Sequence, residues 1–169
     1  DTFNYPHLCE AGVNFNFNEH NILKPDFTKP MVPHFELDNN VIIFSLFPGI
    51  EEHLIHHMFD APELRSIVMR SYGSGNAPQQ PWLMDILRKV SERDVIVVNI
   101  SQCISGQVEM NRYDTGYQLK DAGVISGYDS TVEAAVTKLM YLQAKYKDTE
   151  TIRKYMNQSI AGEITIYNW

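Results

Sequence analysis

The chain has 169 residues, a formal net charge of −7 and a pI near 5.3. That length suits one domain with its own core. The acidic balance, with no basic cluster to offset it, excludes a partner held by its phosphate backbone. No apolar run approaches the roughly 20 residues of a membrane span, so neither nucleic acid nor membrane is expected as a partner.

Residues 1–40 carry Pro6, Pro25, Pro30 and Pro33 and no helical periodicity. Val13-Asn14-Phe15-Asn16-Phe17-Asn18 alternates with period two and predicts a short strand. The rest reads as an ordered connector, which implies a domain to its left. The chain starts at Asp1 rather than Met and shows no signal peptide, so its start reads as the edge of a fragment.

From Asn40 the pattern is regular. Val41 to Leu46 predicts a fully apolar strand that stops at Pro48-Gly49. A helix from Glu51 to Phe59 follows, with Leu54, Ile55 and Met58 expected inward. Ser66 to Ser71 is the second strand, and Pro81 suits the first turn of an amphipathic helix carrying Trp82, Leu83, Ile86, Leu87 and Val90. Val95 to Ile100 is the third strand. A short helix over Thr115 to Asp121 leads to a fourth, Val124 to Gly127. Ser130-Thr131-Val132-Glu133 has the form of a capping box and opens a helix with Val132, Ala135, Val136, Leu139 and Met140 at helical spacing. Asp148 caps a last helix carrying Ile152, Tyr155 and Met156 and ending near Gly162.

Strands alternating with helices predict an α/β fold: three layers, a mostly parallel four-stranded core sheet, helices on both faces, Rossmann-like. The carboxyl ends of parallel strands share one edge, where open α/β sheets bind ligands. That edge collects Pro48-Gly49, the loop Arg70-Ser71-Tyr72-Gly73-Ser74-Gly75-Asn76-Ala77-Pro78, Ser101 to Ser105 and Gly127-Tyr128. A ligand-cradling loop and a tight βα turn both fit the glycines. Pro78 in place of a third glycine excludes a dinucleotide fingerprint, and no Gly-Lys-Ser/Thr follows. Arg70 supplies a planar, permanent charge suited to a carboxylate.

Cys103 has no histidine among the strand-end residues to activate it, so it reads as a lining or packing thiol. Cys9 and Cys103 are too few for a disulfide framework and fit free thiols in a reducing cytosol. His53, His56 and His57 crowd one helix without a third metal ligand at matching spacing and read as a polar face. Asp114-Thr115-Gly116 reads as a helix N-cap by Asp114 or Thr115. The residues themselves thus point to a small-ligand site at the strand ends with no hydrolytic constellation.

Five separated blocks, in order, carry a resemblance: Leu8 to Val13, Arg70 to Pro78, Val98 to Cys103, Ala122 to Ile125 with Thr131 to Ala134, and Asp148 to Lys154. Together they resemble the C-terminal half of a type I, cytoplasmic bacterial L-asparaginase. The resemblance implies an amidohydrolase converting L-asparagine and water to L-aspartate and ammonia, without a cofactor. It implies that residues 1–40 are an interdomain linker and 41–169 the C-terminal α/β domain. Neither the Thr-Gly-Gly-Thr motif nor the Gly-Thr-Asp-Thr-type motif of the catalytic N-terminal domain occurs here. The resemblance further implies a homo-oligomer, dimer or tetramer, in the cytoplasm. Arg70, Ser101 and Cys103 match an asparagine effector site, with Ser101 where a threonine is common. Asn76 and Tyr113 match positions near a neighbouring subunit's active site, while Pro78 stands where other members carry a second asparagine. No metal is implied. A stand-alone amino-acid binding module and a purely structural dimerisation domain are the other readings.

Overall fold

The computed structural model describes residues 5–110 and 114–166. The chain divides into two compact units, Asp1–Phe35 and Glu36–Trp169.

The first unit holds a small antiparallel hairpin. Its strands β1 (Cys9–Ala11) and β2 (Phe15–Phe17) pair Cys9 with Phe17 and Ala11 with Phe15. The alternating stretch therefore supplies the second strand only. Val13 sits in the turn, where Gly12 N–H donates to the Asn14 carbonyl at 3.0 Å.

The second unit is built on four parallel strands in the order β3-β4-β5-β6: Val41–Ser45, Ser66–Ser71, Ile96–Ser101 and Ile125–Ser126. The register is Ser45 with Arg70, and Arg70 with Ile100. Alternation along the strands sorts the core into two halves. Ile67, Met69 and Val97 face α1 (Glu52–Phe59), α2 (Pro81–Glu92) and α3 (Asp114–Asp121). Val68, Ile96, Val98 and Ile100 face α4 (Val132–Lys145) and α5 (Thr149–Met156). Each fully buried Leu, Ile or Phe contributes about 1.5–3 kcal/mol by leaving water, so these two layers dominate the unit's stability. The three-layer α/β expectation holds. The three crossover helices share one face because the strand order never reverses, as same-handed connections require.

Four local expectations change. Helix α1 turns Ile55 and Phe59 inward and leaves Leu54 and Met58 exposed. Phe59 meets Phe44 edge-on at 5.3 Å between ring centres, and that contact sets the helix rotation. Helix α4 is capped by Thr131, whose hydroxyl accepts from Ala134 N–H at 3.2 Å, so the Ser130–Glu133 box does not form. Helix α5 begins at its Asp148 cap as expected but ends at Met156 rather than near Gly162. Asp114 and Thr115 lie inside the first turn of α3, and the residue before them lies outside the described residues. Among the described residues no helix is long and apolar enough to cross a membrane.

Candidate functional site

The carboxyl edge of the sheet is held by side-chain amides and hydroxyls. After β4 the chain closes on itself: Tyr72 N–H donates to the Asn76 carbonyl at 2.9 Å, and Asn76 and Gly75 N–H donate to the Tyr72 carbonyl at 2.8 and 3.0 Å. The loop's own bonds thus use the N–H groups of Gly75 and Asn76. The glycine loop is thus a tight βα turn.

Asn99 fastens this turn from beneath. It is fully buried in β5, and its Nδ2 donates to the Gly75 carbonyl at 3.0 Å. Gly75 has φ +107°, and a Cβ there would lie 2.8 Å from Val108 Cγ1. Ser101 Oγ donates to the Gly73 carbonyl at 2.5 Å and accepts from Cys103 N–H at 3.0 Å. Its hydroxyl is therefore the joint between the two strand-end loops and keeps one lone pair for a further donor. Gln102 Nε2 donates to the carbonyls of Leu46 and Arg70 at 2.6 and 2.8 Å, tying the ends of β3, β4 and β5 together.

Arg70 is half-buried, and its Nε is buried without a hydrogen-bond partner among the described residues. By register it shares the α4/α5 face with Ile100, while Ser101 alternates onto the other face beside Ser71. The structure thus brings Ser101 and Cys103 together and sets Arg70 across the sheet's end from them. Cys103 is a free, exposed cysteine, so the thiol faces solvent at this edge. The Asn76 amide oxygen accepts from Thr115 Oγ1 at 2.9 Å, which ties the loop to the start of α3. Tyr113 lies outside the described residues.

Sequence reasoning missed Asn99 and Gln102 as organisers of this edge. Asn99 carried a usable signal, since a lone amide inside a buried apolar strand must find partners. Gln102 carried none, because its two acceptors lie 56 and 32 residues away. The histidines of α1 stay on its polar side: the His57 Nδ1 atom stands 3.0 Å from the His53 carbonyl, and His56 pairs with Glu52 at 3.5 Å. Among the described residues no three His, Cys, Asp or Glu side chains gather to hold a metal.

This edge has polar groups suited to positioning a small ligand and lacks an activated nucleophile among its described residues. Comparison with known proteins agrees with its architecture. Residues 40–156 match the glutaminase/asparaginase C-terminal domain. The chain is 40% identical to L-asparaginase 1 of Escherichia coli K12 over 96% of this chain and 47% of that protein. It is 35% identical to a human 60 kDa lysophospholipase over 94% of this chain and 27% of that protein. The crystal structure of L-asparaginase I from Vibrio cholerae superimposes with a TM-score of 0.82 at 37% identity, over 96% of this chain and 48% of that one. The chain spans about half the length of the asparaginases it matches or less. The family match covers the whole parallel sheet and the helices on both its faces, and the chain belongs to the glutaminase/asparaginase C-terminal domain family.

Proposed function

We propose that this chain is the C-terminal domain of a type I, cytoplasmic L-asparaginase, in which it supports the homo-oligomer and binds L-asparagine as an effector. Residues 1–40 then link it to an N-terminal domain whose threonines attack the substrate amide. Arg70 carries the reading. A half-buried guanidinium with an unpartnered Nε, at the carboxyl end of a parallel strand, suits an incoming α-carboxylate. Cys103 flanks the same edge, and Ser101 holds the two loops while offering one lone pair to a ligand ammonium. Asn76 and Tyr113 are the positions assigned to contact with a neighbouring subunit's active site. Exposed Leu54 and Met58, four apart on α1, support association between copies. In the first unit Val13, Phe15, Phe27, Met31 and Phe35 are also exposed, as expected of a linker that packs on a further domain.

The test is the velocity curve against asparagine for the full-length enzyme and its Arg70→Ala variant, with the 169-residue chain alone as a control that releases no ammonia. Losing a charge-assisted bond weakens effector affinity by roughly tenfold to a hundredfold, about 1.5–3 kcal/mol. The expected variant needs more asparagine for activation and keeps its saturated rate. An unchanged curve shape with a lower maximal rate would assign Arg70 to catalysis or the fold. An unchanged curve with an unchanged rate would leave a structural dimerisation domain.

A further inference from the structure

The proposed effector residues stand at two strand ends. Arg70 is near the end of β4, Ser101 closes β5, and Cys103 follows it. Gln102, between Ser101 and Cys103, joins these ends. Its backbone N–H donates to the Ser71 carbonyl at 2.9 Å, one residue beyond Arg70. Its Nε2 gives both protons to backbone carbonyls, Leu46 at 2.6 Å and Arg70 at 2.8 Å.

The Arg70 carbonyl is therefore held twice. It accepts from the Leu46 N–H at 2.9 Å as well as from the Gln102 amide, so one donor comes from the end of β3 and one from the end of β5. Leu46 is itself 1% exposed, and its own carbonyl takes the other Gln102 proton. The Arg70 side chain has no such anchor. Among the described residues none is hydrogen-bonded or ion-paired to its guanidinium. An arginine without a side-chain partner is aimed by the backbone that carries it. The clamp on its carbonyl thus governs where the guanidinium is presented, and a misplacement of about 1 Å severely weakens a directional contact.

We propose that Gln102 is the positioning residue of the effector site. It touches no ligand, and it sets the affinity for L-asparagine by holding the Arg70 backbone in register with the loop that carries Ser101 and Cys103. This rests on the effector reading of Arg70 and adds the residue through which the two strand ends act as one site.

The test is a double-mutant cycle in the full-length enzyme, read as the asparagine concentration for half-activation. Gln102→Met keeps the length of the side chain and removes the donor. It should raise that concentration roughly fivefold to tenfold, as the loss of neutral hydrogen bonds predicts. In the Arg70→Ala background the same substitution should change it by less than about twofold, because no guanidinium is left to position. A merely structural role would behave otherwise, since a general loosening of the fold adds its effect whether or not Arg70 is present. Gln102→Asn keeps an amide, too short to reach both carbonyls. It should show the same pattern, and it decides the matter should Gln102→Met lose its near-UV circular dichroism signal. Parental half-activation in a folded Gln102 variant, with Arg70→Ala shifted, would overturn the positioning role and leave the effector reading standing. A full shift that persists in the Arg70→Ala background would do the same. Parental half-activation in Arg70→Ala would overturn the effector reading itself, and this inference with it.

Discussion

At Gly75 the absence of a side chain is a steric requirement. Its φ of +107° is a conformation L-residues rarely adopt, and a Cβ would press on Val108 Cγ1 at 2.8 Å and approach Asn99 Nδ2 at 3.3 Å. The Asn99 amide already holds the Gly75 carbonyl, so the turn cannot shift aside without orphaning a buried donor. Gly75→Ala should therefore destabilise by about 2–4 kcal/mol, combining backbone strain with overpacking. Urea unfolding would show a lower midpoint at unchanged slope, whereas a change below about 0.5 kcal/mol would mean that the turn relaxes freely. The need for glycine here was legible, because a glycine pair between a strand and a helix announces a turn. The partner that makes this glycine irreplaceable was not. Asn99 lies 24 residues away, and its neighbours in sequence only say that it is buried. Arg70 was legible as the last charged residue of an apolar strand. Its unpartnered Nε depends on what surrounds it in space.

Among the elements, each strand of the parallel sheet could be read from an apolar, β-branched run, since both faces of a covered parallel sheet are apolar. Helix α1 shows what such patterns leave open. Leu54, Ile55, Met58 and Phe59 offer two apolar pairs four apart, and only packing against Phe44 selects Ile55 with Phe59. The tail after α5 was read as helix, yet a buried ion pair organises it differently. Lys138 Nζ reaches Glu163 Oε1 at 2.5 Å and the carbonyls of Gln158 and Met156 at 2.5 and 3.3 Å. The Glu163 carboxylate also accepts from the N–H groups of Ala161 and Ile160 at 2.7 and 3.0 Å. Burial pushes the Glu163 carboxyl up, but Lys138 and these N–H donors outweigh it and hold it below its ordinary value of 4.5. A carboxyl depressed by folding contributes stability above its unfolded value, and that contribution is lost as pH falls through the folded value. Burial also lowers the Lys138 ammonium, which stays protonated in both states throughout this acid range. Glu163→Gln strands a buried ammonium and should lose about 3 kcal/mol at neutral pH. The loss should shrink as pH falls below 4.5, where the parent protein gives up the same interaction. Urea midpoints at neutral and acid pH measure this, and an equal deficit at both would show that the carboxylate's charge is not what holds the tail.

For the molecule as a whole, the strand order is the governing fact. A sheet whose order reverses opens a crevice at the reversal, but here the order runs from β3 to β6 in one direction. Among the described residues no reversal of that kind occurs, so the proposed effector site at the carboxyl edge rests on loop and strand-end groups such as Arg70 and Cys103. The same topology makes the second unit self-sufficient. Every residue in the two buried core layers, from Phe44 to Met156, lies in Glu36–Trp169, and that unit's own helices pack on both faces of the sheet, leaving Ile43 of the edge strand β3 exposed. A chain cut before Glu36 should therefore fold alone. It should show a near-UV circular dichroism signal and one cooperative urea transition, with a slope of about 1–3 kcal/mol/M. Loss of the near-UV signal with far-UV signal retained, together with dye binding, would mark a molten globule and show that residues 1–35 complete the packing.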